Sequence, residues 1–300
     1  MIYKIFFLLF FVCRSLFASS FDLQPAAFVR LGLHPGVIAL GGTGVVSARG
    51  ASGLIYNPAA LFAGETYELG CYNTTFFDTH FRLIDAKFDF FSFPMAINYL
   101  QARFQAVPIV ELNPMTGFYQ QTAAVTYYEG NQIQLGVAFY YFKRLRLGGS
   151  VKFIYESMDA VGSKALGADI GLLYCFKQGN LGLMIHNVVE PYFSWTSSLA
   201  TPAVLNSWMA IGGSYILWRY YMTMYGSVDV FNRRIIAYHF GVNYQPIWFF
   251  DFRAGLDNGF FTVGTQLMLD LIHIDIAWKQ SVIDYFDMFV LGVTLTSKAN

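Results

Sequence analysis

The chain has 300 residues, of which 55% are apolar, 19% aromatic and only 13% charged. Lys and Arg together number 19, as do Asp and Glu, so the formal net charge is zero. This composition excludes an acidic tail, a basic arm and electrostatic binding of nucleic acid, and it favours a membrane protein over a soluble enzyme or a disordered chain.

The N-terminus has the pattern of a secretory signal peptide. Lys4 precedes an apolar run over residues 5–12, and the small residues Ala18 and Ser20 follow it. The run is too short for a transmembrane helix. We therefore predict that residues 1–20 are removed. Two cysteines then remain, Cys71 and Cys175, and since nothing in the sequence brings them together, a disulfide framework is not indicated.

Beyond about residue 66, apolar residues alternate with polar or small ones, which is the periodicity of β-strands. Fifteen segments follow this pattern, at about 66–75, 79–91, 94–105, 118–128, 131–142, 146–156, 164–176, 180–187, 206–218, 220–231, 235–246, 249–257, 259–268, 271–281 and 285–296. Single-chain bacterial barrels have even strand numbers, so we expect fourteen strands and one segment that is a loop or half of a split strand. Short turns are predicted at Glu129-Gly130, Gly179-Asn180 and Asn258-Gly259, and the longest connections at 106–117 and 188–205.

The residues on each face distinguish a membrane barrel from a soluble β-sandwich. The polar face has few charges, and aromatic residues cluster near strand ends, at Tyr140-Tyr141-Phe142, Trp218-Arg219-Tyr220-Tyr221, Trp248-Phe249-Phe250 and Tyr285-Phe286. An apolar band between aromatic girdles suits a closed sheet in lipid. The predicted fold is all-β: a transmembrane antiparallel β-barrel of about fourteen strands in the bacterial outer membrane, with a secreted soluble β protein as the alternative. Charged residues of the strands would then form ion pairs inside the barrel, namely Lys152, Glu156, Asp169, Asp229, Asp251, Arg253 and Lys279.

Residues 21–65 do not alternate and contain the most specific motifs. Their glycines do not form a phosphate-binding loop, because no Gly-Lys-Ser/Thr follows them. The stretch from Gly36 to Leu61 resembles the N-terminal region of the PorV/PorQ and UPF0164 families, within the FadL-like outer-membrane group. The matching residues are Gly36, Ala39, Leu40, Gly41, Gly42, Tyr56, Asn57, Pro58, Ala59 and Leu61.

The resemblance extends along the chain and also has departures. Residues 147–156, 167–174 and 181–187 are similar to further stretches of these families, whereas Arg49-Gly50-Ala51 replaces an acidic pair and Ala60 replaces a usual glycine. The resemblance implies that residues 21–65 form a hatch inside a barrel built from residues 66–300.

No residue pattern indicates catalysis, a cofactor or a metal. His273 and Asp275 share a strand face, but a zinc site needs three or four converging ligands and no third is evident. No serine stands out as the nucleophile of a hydrolase. We therefore expect a protein that is not an enzyme.

Two functions remain open at this point. The first is a FadL-like channel for small hydrophobic molecules such as fatty acids, gated by hatch residues Gly41, Gly42, Tyr56, Asn57, Pro58 and Ala59. Proline fixes the local backbone and asparagine can hold a turn. Apolar hatch residues, chiefly Leu40, Leu54, Ile55 and Leu61, would either line a ligand pocket or only anchor the hatch.

The second function is that of a PorV-like barrel that binds secreted cargo or secretion machinery, and a purely structural outer-membrane protein is a third. The length of the external loops distinguishes the cargo-binding function from the channel function, because cargo binding requires long external loops. The expected partners are thus outer-membrane lipid and either a hydrophobic ligand or secretion and cargo proteins, with no nucleic acid.

Overall fold

The structure is a computed structural model. It describes residues 26–76, 78–113, 115–142, 144–159, 161–196, 202–217, 221–281 and 287–297. The predicted signal peptide lies outside these residues. Within them, no helix has both the length and the apolar character needed to cross a membrane.

The alternating residues form sixteen strands in the described part of the chain. They are β1 (Glu68–Phe76), β2 (Thr79–Phe90), β3 (Phe93–Leu112), β4 (Tyr119–Phe142), β5 (Leu145–Met158), β6 (Val161–Phe176), β7 (Gly179–Val189), β8 (Tyr192–Trp195), β9 (Ala203–Val204), β10 (Trp208–Leu217), β11 (Met222–Phe231), β12 (Arg234–Ile247), β13 (Phe250–Asp257), β14 (Phe260–Leu269), β15 (Ile272–Lys279) and β16 (Met288–Thr296).

Fourteen of these described strands close into an antiparallel barrel, as predicted. Each pairs with its neighbours in chain order, β7 pairs with β10, and β1 closes the ring on β16, where Glu68 lies opposite Thr296. The two short strands lie outside this ring, since β8 pairs with the start of β6 on one side and with β9 on the other.

The alternation places apolar side chains outside and small or polar ones inside. In β6, Gly167, Asp169 and Gly171 are buried in the lumen, whereas Leu166 and Ile170 are exposed on the outer surface. A closed sheet with an apolar outer surface satisfies its backbone hydrogen bonds without exposed edges, which a bilayer requires.

The two ends of the barrel differ. At the terminal end, β1 begins, β16 ends and the strands join through turns such as 91–92, 177–178 and 270–271. The opposite loop end has the connections around 113–118, 190–207 and 280–287. Exposed aromatic residues lie near both ends of the barrel: Phe91, Tyr140, Phe142, Tyr221 and Trp248 at the terminal end, and Phe118, Tyr127, Tyr192, Phe261 and Phe289 at the loop end. Residues 218–220 and 285–286 of the predicted girdle lie outside the described residues.

One predicted turn is wrong and accounts for the fifteenth segment. Glu129-Gly130 lies within β4, which joins the predicted segments 118–128 and 131–142 into one strand of 24 residues. Gly130 is buried and faces the lumen, where a Cβ would overlap the ring of Phe28. The glycine therefore leaves room for a packed side chain and makes no turn.

Other connections also differ from the prediction. The turn before β7 is at 177–178, so Gly179-Asn180 begins the strand, whereas Asn258-Gly259 is a turn with positive φ at both residues, as predicted. The predicted loop 106–117 is mostly strand, because β3 and β4 continue past their barrel neighbours. Beyond Phe104 and Tyr128 these two strands pair only with each other and project as a ribbon from the loop end.

The N-terminal residues form short helices. We call residues 26–65 the plug segment. It contains the α-helical turns Pro35–Ala39, Gly44–Ser47 and Gly53–Tyr56 and the 3-10 turns Ala27–Arg30, Gly50–Ser52 and Pro58–Phe62.

Candidate functional site

The plug segment lies inside the lumen of the barrel. Helix Pro35–Ala39 packs against β13 to β16, Gly44–Ser47 against β7, β10 and β11, and Pro58–Phe62 against β3 to β6. These contacts surround the segment on all sides. Most of its residues are buried, although none of its turns is long enough to be stable as an isolated helix. Packing against the wall therefore determines its conformation.

Asn57 anchors the plug segment to the wall. Its Nδ2 donates to the carbonyl of Val45 at 2.9 Å and to that of Leu172 in β6 at 3.1 Å, and its Oδ1 accepts from the Ala59 backbone at 3.1 Å. The residue is fully buried. The side chain thus joins two parts of the plug segment to the barrel.

Pro58 and Ala59 approach the wall so closely that only glycine fits opposite them. A Cβ on Gly148 of β5 would overlap the backbone of both residues, and a Cβ on Gly171 of β6 would overlap the Asn57 carboxamide. The Asn57-Pro58-Ala59 box is therefore seated on a glycine-lined part of the wall.

Gly41 and Gly42 form a second seat on the opposite wall. Both have positive φ, +69° and +83°, a region that glycine adopts without the strain of a side chain. The Gly41 carbonyl lies 2.9 Å from Nδ1 of His239, which also lies 3.0 Å from Asp257, while Nε2 lies 3.3 Å from Asp229. This turn is held by a charged network of the wall.

Tyr56 packs inside the plug segment. Its ring lies over Gly32 and Gly44, at positions where a Cβ on either glycine would overlap it. Burial raises the pKa of the Tyr56 hydroxyl above its ordinary value, so the group stays protonated.

His34 begins the helix Pro35–Ala39 and stacks on Tyr72 with ring centroids 4.8 Å apart. Burial lowers the pKa of His34 from 6.5 to about 4; the nearby Asp275 opposes this change and Arg253 adds to it. The docked imidazole is therefore neutral at pH 7.

The plug segment separates two cavities. The larger, of about 880 Å³, lies toward the loop end and is lined mainly by apolar side chains, among them Phe28, Leu31, Ile55, Phe81, Trp208 and Phe260. The smaller, of about 270 Å³, lies toward the terminal end and is more polar. Val37 lines both cavities, so helix Pro35–Ala39 is the partition between them.

Six of the seven charged side chains predicted to pair inside the barrel do so, Asp229 with His239. The seventh, Glu156, forms no ion pair in the described part of the chain and instead accepts hydrogen bonds from the Tyr128 hydroxyl at 2.7 Å and the Ala26 N–H at 3.1 Å. Lys152 lies 2.7 Å from Asp169 at the larger cavity, where Lys279 also pairs with Asp257. Beside the smaller cavity, Arg253 bridges Asp251 at 2.7 Å and Asp275 at 2.9 Å. Pairing compensates for the burial of these charges.

The predicted lining residues occupy different places. Ile55 lines the larger cavity and Leu40 the smaller one. Leu54 and Leu61 line neither; they pack against Ala96 and Ala138 of the wall. Sequence reasoning missed Trp208, His186 and His239 as lining residues, although their inward register follows from the strand alternation.

In the described part of the chain, no group of three or more His, Cys, Asp or Glu side chains is arranged to hold a metal ion. Asp275, the imagined partner of His273, is engaged by Arg253 and by Gln266, whose Nε2 lies 3.0 Å from it.

Solved structures with the same architecture include two toluene transporters. TbuX of Ralstonia pickettii superposes with a TM-score of 0.63 at 12% identity, over 88% of this chain and 98% of that one. TodX of Pseudomonas putida gives 0.62 at 12% identity, over 89% and 99%. A FadL homologue of Pseudomonas aeruginosa gives 0.57 at 11% identity, over 87% and 98%.

The chain has the FadL-type barrel fold. At this level of identity the likeness is one of fold. No protein-family model and no curated protein matches the sequence, so the PorV/PorQ and UPF0164 assignment gains no support from these comparisons. The FadL-type fold nevertheless agrees with the broader group to which the motifs of the plug segment pointed.

Proposed function

We propose that the chain is an outer-membrane channel for small hydrophobic molecules, gated by its plug segment. In this proposal residues 1–20 are the signal peptide, residues 21–65 form a movable hatch and residues 66–300 form the barrel that lipid surrounds. No catalytic residue, cofactor or metal takes part. TbuX and TodX are toluene transporters, which supports a hydrophobic cargo for this FadL-type barrel as well.

The observation that carries the proposal is the pair of cavities on opposite sides of one short helix. A cavity of about 880 Å³ that is lined mainly by apolar side chains, with polar groups among them, has the size and lining of a small-molecule site. Val37 of this helix lines both this cavity and the one toward the terminal end. A displacement of Pro35–Ala39 would therefore join the two cavities into a continuous passage.

The gating residues divide into a fixed and a movable set. Asn57, Pro58 and Ala59 are seated on the wall and serve as the anchor. Gly41 and Gly42 follow the partition helix, and their backbone freedom makes them the hinge on which the helix moves. Tyr56 packs between anchor and hinge, against Gly44.

Native mass spectrometry of the gently solubilised protein tests the proposal, because it detects bound hydrophobic molecules and co-purifying proteins in the same sample. The channel proposal expects a stoichiometric hydrophobic ligand, of which fatty acids are one candidate, and expects its loss when residues 21–65 are deleted. A constant protein companion without a small ligand would overturn the proposal and favour binding of secreted cargo or secretion machinery.

A further inference from the structure

The wall of the larger cavity has an irregularity in β7. Ala168 of β6 pairs with Val189 and Ile170 pairs with Ile185, so three residues of β7 face one residue of β6. Asn187, within this bulge, has φ +56°. Bulges of this kind re-aim side chains, and they are found beside binding and active sites.

The bulge directs two consecutive side chains, His186 and Asn187, to the larger cavity, which both residues line. Regular strand alternation would turn one of them to lipid. The strained backbone is supported on both sides: Asn187 N–H donates to Asp169 at 2.7 Å, and its Nδ2 donates to the carbonyl of Asn206 at 3.0 Å. These bonds hold the two side chains in a defined arrangement.

Both side chains retain hydrogen-bonding capacity. Asn187 is only 1% exposed, and its buried Oδ1 accepts no hydrogen bond from any described residue. The His186 ring stacks on Trp208 with centroids 3.9 Å apart and planes 13° apart, and no described residue hydrogen-bonds to its nitrogens. A buried acceptor without a partner is costly, so a donor is expected there.

The charges around this position favour a neutral ligand. The described residues lining the cavity include three basic side chains other than histidine and three acidic ones, namely Arg30, Lys152, Lys279, Asp169, Asp229 and Asp257. Lys152 and Lys279 are each engaged by a carboxylate. A carboxylate ligand would therefore compete with carboxylates of the wall for Lys152 and Lys279, and the guanidinium of Arg30 already lies over the Trp208 ring, 5.8 Å from its centroid.

We propose that His186 and Asn187 form a polar subsite that receives the hydroxyl group of an otherwise apolar, uncharged ligand, an alcohol or a phenol. The hydroxyl donates to Asn187 Oδ1 and exchanges a second hydrogen bond with the imidazole, while the apolar part occupies the cavity beside Trp208. This subsite rests on the proposed channel function and specifies its substrate class.

Three probes that share one octylphenyl group test the proposal: octylbenzene, 4-octylphenol and 4-octylbenzoate. Their binding is measured by equilibrium dialysis against the full mature chain in lipid nanodiscs, with empty nanodiscs as the partition blank. We expect 4-octylphenol to bind about tenfold more tightly than octylbenzene, as one or two added hydrogen bonds allow. We expect 4-octylbenzoate to bind most weakly.

Two variants remove the subsite. His186→Phe keeps a ring on Trp208 without nitrogens, and Asn187→Gly keeps the positive φ without the carboxamide. Each should lower the affinity for 4-octylphenol several-fold and leave octylbenzene within twofold. His80→Phe, at an exposed position in β2, is the matched control. The resistance of each folded barrel to SDS at room temperature verifies that it is intact.

The outcomes separate the two claims. Equal binding of octylbenzene and 4-octylphenol, with no effect of either variant, would overturn the subsite and leave the hydrophobic channel standing. Preference for 4-octylbenzoate would also overturn it, in favour of an anionic ligand. Binding of none of the three probes would reject the channel function, and the subsite with it.

Discussion

Asn57 joins the plug segment to the wall, since it bonds two backbone carbonyls and one backbone N–H at a fully buried position. Asn57→Ala would leave the carbonyls of Val45 and Leu172 without that donor. We expect the plug segment to lose about 2–3 kcal/mol of docking free energy. Planar-bilayer recordings would then show frequent openings. Quiet recordings indistinguishable from wild type would contradict this role.

His34 makes the docking of the plug segment dependent on pH. The docked imidazole has a pKa of about 4, whereas an exposed one titrates near 6.5, so the undocked state binds the proton more tightly. Docking is fully stable above pH 6.5 and weakens as pH falls toward 4, roughly tenfold for each pH unit.

Conductance recorded between pH 7.5 and 4.5 would test this dependence on His34. Openings of the wild-type barrel should increase below pH 6.5, and His34→Gln should show a flatter profile. An identical profile in the two proteins would assign the pH response to other groups.

At the scale of elements, the fit between the plug segment and the wall can be tested on adjacent glycines of β5. Gly148→Ala places a methyl group against the backbone of Pro58 and Ala59, whereas Gly149→Ala meets only the Asp169 carbonyl, at 3.7 Å. We expect Gly148→Ala to destabilise docking by about 1–3 kcal/mol and Gly149→Ala to have little effect. Hydrogen exchange of residues 57–62 measures the difference, and equal protection in both variants would argue against close seating.

The projecting ribbon should be dispensable for the barrel. Residues 109–124 lie beyond the last pairs of β2 and β5 with the neighbouring strands β3 and β4. A two-stranded ribbon on its own is only marginally stable. Replacing residues 109–124 by an Asn-Gly turn should shift the thermal unfolding of the barrel by no more than a few degrees. A large loss of stability would show that the ribbon supports the wall.

The strands were largely predictable from the sequence, because alternate residues of a barrel strand face the lipid and the lumen and therefore differ in polarity. Gly130 misled the prediction, since a glycine that accommodates Phe28 looks the same in sequence as one in a turn. The plug segment was harder. Its helices are too short to show a period, so nothing distinguished Ile55, which faces the larger cavity, from Leu54 and Leu61, which pack on the wall. The bulge that turns Asn187 inward has no sequence signal of its own.

At the scale of the whole molecule, the proposed route passes from one cavity to the other at Val37, which lines both. Val37→Trp should fill the space between the two cavities and reduce uptake of a hydrophobic probe into proteoliposomes several-fold. Val37→Ala should maintain or increase it. Val45→Trp is a control that crowds the larger cavity without touching the smaller one. Equal uptake by Val37→Trp and wild type would place the route elsewhere.

The order of the chain also has a consequence for assembly. The seam between β1 and β16 joins the two barrel strands that are farthest apart in sequence, and pairing over such a long sequence separation is the slowest to form. The plug segment precedes β1 and the strands encircle it, so we expect it to reach its seat before that seam closes. If residues 21–65 and 66–300 are supplied as two polypeptides, we expect residues 66–300 to close into a barrel with a water-filled lumen. The peptide of residues 21–65 should then remain outside that barrel.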